Sequence, residues 1–189
     1  MAKKTTGPPY AALEEIPPFI RQGEYEVSMP LGLLRKWVAE HKQQGLQLCP
    51  DFQRGHVWTQ KRKIAFVEFF IRRGHTGRVI YFNDPNWRGH GTPGGYADFV
   101  VVDGLQRLTA LMEFMDDKVP LFGRKWSQYK EYGQCLMNYD LRLHINELKT
   151  RAEVLQWYLD LNTGGVLHTK AEIARVQALL EAERAKQCG

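Results

Sequence analysis

The sequence predicts an α/β (α+β) fold: a small mixed sheet with helices packed around it and a helical layer at the C-terminal end. Three observations predict it. Short strand-like runs alternate with helical patterns as far as Met115, and helical patterns dominate after a strand near Tyr139. Between them, residues 98–112 join both kinds of pattern. Phe99-Val100-Val101-Val102 lacks polar alternation and reads as a strand buried on both faces; Asp103-Gly104 ends it, and Leu105, Leu108, Leu111, Met112 and Met115 recur at helical spacing.

In chain order, residues 1–23 are polar or proline-broken and are expected to be a flexible segment. Tyr25 to Met29 alternates as a strand. Pro30 then opens a helix carrying Leu31, Leu34, Trp37 and Val38, which ends before Gly45. Leu46 to Cys49 reads as a second short strand. Residues 50–58 pack polar groups between Phe52 and Trp58, and Gly55 is expected to permit an unusual backbone there. Thr59 is a plausible N-cap for a helix over 60–73 with Ile64, Phe66, Val67, Phe70 and Ile71 inward and Glu68 at the stripe's edge. A core strand follows at 78–82, then a long Gly/Pro/Asn-rich turn at 83–95. After the central strand and helix, 117–133 is loop-like and 139–146 alternates as a half-buried strand. A helix over 150–161 breaks at Asn162-Thr163-Gly164-Gly165. Thr169 caps a last helix over 170–186, with Ile173, Val176, Leu179 and Leu180 on one face.

The composition is ordinary for a soluble globular protein. No apolar run approaches a membrane span and no signal-peptide pattern opens the chain, so a cytoplasmic protein without membrane contact is expected. Three scattered cysteines suggest neither a disulfide framework nor a zinc site. The net charge of +5 and pI of 9.1 are compatible with nucleic acid or nucleotide partners. Lys61, Arg62, Lys63, Arg72 and Arg73 cluster at the two ends of one helix, as a solvated surface or a DNA contact. Phosphate-loop and dinucleotide-binding glycine patterns are absent. Arg107 falls close to the apolar arc of its helix. It therefore needs either an anion, which a helix N-terminus also favours, or an internal pair with Asp103.

Residues 50–58, Glu68, the run Val102-Asp103-Gly104-Leu105-Gln106-Arg107 and Asn162-Thr163-Gly164-Gly165 occur in this order at family-like spacing. With their F-Q-R-x-x-x-W and D-G-x-Q-R motifs they resemble the N-terminal domain of GmrSD-type Type IV restriction proteins, whose core is similar to the ParB/sulfiredoxin fold. Leu105 stands where many members carry a second glutamine. The resemblance runs from about Val27 to Ile173, so 24–189 is expected to form a single domain of this type.

The resemblance implies a nucleoside triphosphate-binding, Mg2+-dependent NTP-hydrolysing module, linked to DNA restriction, phage defence or phage biology. It gives phosphate-clamping roles to Arg54 and Arg107, and Mg2+-holding roles to Asp103 and Glu68. Gln53, Gln106 or Asn162 would orient water, and Gly104, Gly164 and Gly165 would lie against the nucleotide. No His-rich nuclease motif follows Ile173 in this sequence. A partner nuclease subunit or a homo-oligomer is therefore expected. The alternatives are a DNA-binding or DNA-nicking regulator and an inactive interaction or inhibitor module.

Overall fold

Four short strands make one mixed sheet, as the alternation of patterns predicts. The computed structural model describes residues 25–87, 89, 94–129, 138–162 and 169–187. Within them β1 is Tyr25–Pro30, β2 Val79–Asn83, β3 Val100–Asp103 and β4 Asp140–Asn146. Their spatial order is β1-β4-β2-β3. β4 is antiparallel to β1, with Leu143 opposite Val27, and parallel to β2, with Leu143 opposite Ile80; β2 and β3 are antiparallel. The helices are α1 Leu31–Gln43, α2 Gln60–Ile71, α3 Leu105–Met115, α4 Arg151–Asn162 and α5 Lys170–Gln187, with a 3-10 turn at Trp126–Gln128. None of the described helices is long and apolar enough to cross a membrane.

β3 is buried on both faces because it feeds two cores. Val101 packs with Leu34, Val67, Leu108 and Phe114 from α1, α2 and α3. Its neighbours Val100 and Val102 point the other way, to Phe52 and the α4–α5 layer with Leu155, Val176 and Leu180. The C-terminal helices are thus a separate layer across the sheet from α1–α3. Two predicted caps also form. The Thr59 hydroxyl accepts from Arg62 N (3.3 Å), while the Thr169 hydroxyl accepts from Glu172 N (3.2 Å) and the Glu172 carboxylate accepts from Thr169 N (2.7 Å).

Three local expectations are corrected. Residues 46–49 form a single bridge between Gln47 and Val100 and no strand, because Gly45 turns left-handed on one side and Pro50 supplies no donor on the other. β4 is half-buried only at its start: lying between two strands and under α4, it buries His144, Ile145 and Asn146 in succession. Gly55 is not among the residues with positive φ. Residues 1–23, Gly164 and Gly165 lie outside the described residues.

Candidate functional site

The site begins at the turn from β3 into α3. Gly104 has φ +99°, and a Cβ there would stand 2.8 Å from Ile80 Cδ1, 3.2 Å from Ile80 Cα and 3.1 Å from Arg107 Nη2. Glycine is required by conformation and by space. Leu108 N bonds to Gly104 O at 2.9 Å, so the amides of Leu105, Gln106 and Arg107 belong to the open end of the helix, where backbone donors and the helix dipole favour an anion. Arg107 bends back under this turn. Its Nη2 donates to Asp103 Oδ2 at 2.5 Å and to Val79 O at 3.1 Å, with the side chain 22% exposed. Of the two roles open to Arg107 on sequence, the internal pair is the one formed.

The second wall is the loop of residues 50–58. Phe52 anchors it in the α4–α5 core, edge-on to Tyr158 at 5.3 Å. Gln53 Nε2 donates to Val101 O (3.1 Å) and Val102 O (2.9 Å) on β3. Gln106, only 8% exposed, reaches the other way: its Oε1 accepts from Val57 N (3.1 Å) and Trp58 N (3.2 Å), and its Nε2 donates to Gly55 O (2.9 Å). From α5, Arg175 donates to Asp51 O (2.5 Å) and Phe52 O (3.0 Å), and Arg151 of α4 pairs with the Asp51 carboxylate at 2.6 Å. The loop is therefore fixed to β3, α3 and the α4–α5 layer, with Gln106 and Arg175 satisfying its backbone.

These walls enclose a pocket of about 120 Å3 that brings together Gln53, Arg54, Asp103, Gly104, Gln106, Arg107 and Asn162. Tyr158 and Leu161 close the α4 side, and Trp58 with Arg62 the α2 side. The Arg62 guanidinium lies 5.0 Å over the Trp58 ring. Asn162 Nδ2 donates to Tyr158 O at 2.6 Å. Burial pushes the Tyr158 phenol up to about 12, against the opposing pull of Arg54. Among the described residues Arg54 forms no hydrogen bond or ion pair, although it is half-buried.

Some expected members are elsewhere. Glu68 lies in a separate depression with Phe69 and Arg72, its Oε1 accepting from Phe122 N at 3.3 Å, so it cannot share an ion with Asp103 as things stand. Asp103 and Glu68, expected as a metal-holding pair, thus line two different depressions. The amides of Gln53 and Gln106, expected to orient water, bond instead to main-chain groups of β3 and the loop. The basic cluster also divides: Lys63 is bound to Glu113 at 2.7 Å, Arg62 joins the pocket, and Arg73 lies over Tyr139. Tyr158 was legible in principle, because it shares a helix face with Asn162 four residues on. Arg175 carries no local signal; only folding brings α5 to the loop.

The family profile of the GmrSD restriction endonuclease N-terminal domain matches residues 34–162. The chain belongs to that family. No curated protein and no solved structure matches it. The GmrSD match covers both motif segments and ends at Asn162 on the pocket's rim, so Arg175 braces the pocket from beyond it.

Proposed function

We propose that this pocket binds the phosphates of a nucleoside triphosphate and that the domain is a nucleotide-dependent module of DNA restriction and phage defence. The observation that carries this reading is Arg54. A half-buried guanidinium without a partner among the described residues faces a small pocket at the N-terminal end of α3. A phosphate group fits its needs better than any nearby side chain does. The pocket suits the phosphates rather than a whole nucleotide, leaving the nucleoside to extend over the rim formed by Trp58 and Arg62. Arg107 would act chiefly by holding Asp103 and the turn.

Mg2+ fits this donor set as a companion of the triphosphate, because a magnesium ion commonly takes one or two carboxylates and completes its shell with phosphates and water. Asp103 is the carboxylate that would meet it, supplying the oxygen that Arg107 leaves free. Hydrolysis has less support than binding, since both glutamines are engaged on the main chain. A partner nuclease subunit or a second copy of the chain would convert the nucleotide state into restriction.

Calorimetric titration with ATP, GTP, CTP and UTP, each with and without Mg2+, tests the reading. At least one should bind, and Arg54→Ala should weaken it at least tenfold. No binding of any nucleotide, or unchanged affinity in Arg54→Ala, would overturn it.

A further inference from the structure

Beside α2 the chain displays two largely exposed aromatic rings, Phe122 and Phe69. Leu121 and Arg124 exchange both backbone hydrogen bonds, Leu121 N to Arg124 O (2.8 Å) and Arg124 N to Leu121 O (3.0 Å). The two residues between them, Phe122 and Gly123, have φ +48° and +77°. A turn with two positive φ values favours Asn-Gly, and a phenylalanine in its first central position is strained. That strain is not offset by burial, for Phe122 is 57% exposed. Glu68 holds the turn against α2 by accepting from the Phe122 amide, and the next residue of the helix is Phe69, itself 44% exposed. The Phe69 ring rests on Gly74, where a Cβ would stand 2.2 Å from its Cζ.

The surroundings are basic. The outer stripe of α2 carries Lys61 and Arg72, and the turn continues into Arg124 and Lys125; all four are exposed. Among the described residues none of the four forms an ion pair; Glu68 is occupied by the turn, and Lys125 lies near the exposed Asp117 carboxylate, whose main partner is Ser127. Gln60 Nε2 bonds to Lys118 O (2.8 Å), so the segment from Lys118 to the turn runs alongside α2 and the face is continuous. Lys61 and Arg72 stand about 16 Å apart along the helix, a reach of roughly five nucleotides of stacked strand.

We infer that this face binds single-stranded DNA, its phosphates on Lys61, Arg72, Arg124 and Lys125 and its bases stacked on Phe122 and Phe69. Exposed rings set among unpaired cations are what a sequence-tolerant single-strand site requires. A duplex keeps its base faces inside and can use only the charges. DNA is the occupant to which membership of a restriction family commits the face. The site is separate from the nucleotide pocket and needs no nucleotide.

Fluorescence anisotropy with a labelled single-stranded 12-mer and its duplex, without nucleotide and over a range of salt, tests the inference. The single strand should bind more tightly than the duplex and lose affinity steeply with salt. Phe122→Asn is the decisive variant, because asparagine suits the turn. It should melt roughly 2–4 °C higher and yet bind the single strand at least fivefold more weakly. Phe69→Ser should weaken it similarly, and Arg72→Ala should flatten the salt dependence. Absence of single-strand binding, equal affinity for duplex and single strand, or unchanged affinity in Phe122→Asn would overturn the inference. A failure of nucleotide binding would leave it untouched.

Discussion

The dipeptide Gln-Arg occurs on both walls of the pocket, as Gln53-Arg54 and as Gln106-Arg107, and the two copies divide their work differently. The glutamines are alike. Each crosses to the other's segment, Gln53 to the strand that delivers Asp103 and Gln106 to the loop that follows Arg54. The arginines are not alike. Arg107 is spent inside the protein on Asp103 and Val79 O, whereas Arg54 meets no described partner. The comparison teaches that a repeated motif need not mean a repeated role. The two motifs belong together because each supplies the brace that the other's backbone lacks.

The strongest way to break this arrangement is at the turn. Gly104→Ala combines left-handed strain with a clash against Ile80 and against Arg107. It should cost about 3–4 kcal/mol, lowering the melting temperature by roughly 10 °C. A loss under 1 kcal/mol would mean that the turn relaxes freely. Next comes the cross-bracing. Gln106→Ala leaves two amides and a carbonyl of the loop without their partner, for a cost of about 2–3 kcal/mol. Denaturant unfolding of Gln53→Ala, Gln106→Ala and the double variant should give a coupling energy above roughly 0.5 kcal/mol; strict additivity would show that the braces act independently.

The arginines should then separate. Arg107→Ala strands Asp103 in a partly exposed pair and should cost about 2 kcal/mol, less than for a fully buried pair. Arg107→Lys should recover part of this loss, because both bonds come from the single nitrogen Nη2 and an ammonium also donates several bonds from one nitrogen, although the shorter lysine side chain falls short of the Nη2 position. Arg54→Ala should change stability by less than about 0.5 kcal/mol while removing nucleotide affinity. Equal stability losses at the two positions would erase the distinction between them.

The smallest effect concerns pH. The Tyr158 phenol titrates near 12 in the folded protein and lower once unfolded, so its contribution is complete below about pH 10 and is lost as pH rises toward 12. Burial pushes Tyr96 up as well. Tyr158→Phe should therefore make alkaline unfolding shallower without abolishing it. An identical alkaline limb in the variant would show that Tyr158 does not carry this loss.

Much of this was legible in the sequence, for a physical reason. Val100 to Val102 announce a doubly buried strand by lacking polar alternation, and the helical spacing of Leu105, Leu108 and Leu111 follows from one face packing on the sheet. Both arginines were marked by their glycine-containing neighbourhoods. Hydrogen-bond partners were not legible, because Gln53 could bond to water, nucleotide or backbone until the distance to Val101 O was known. The place of Glu68 was not legible for the same cause: residue type gives a carboxylate's chemistry but not the direction in which its helix points it. The extra burial of β4 depended on its having neighbours on both sides, which only the strand order supplies.

That strand order has a temporal consequence. Of the described strands β1 is made first and β4 last, yet β4 lies between β1 and β2. On a ribosome that has not yet released residue 146, β1 has no neighbour, and one edge of β2 stands open while β3 and α3 are already available to it. Such non-local pairing is slow, and open edges recruit wrong strands from other nascent chains. The sheet is completed late, by a single strand entering between two waiting edges, and the interval before that entry is when the polypeptide most needs protection by a chaperone.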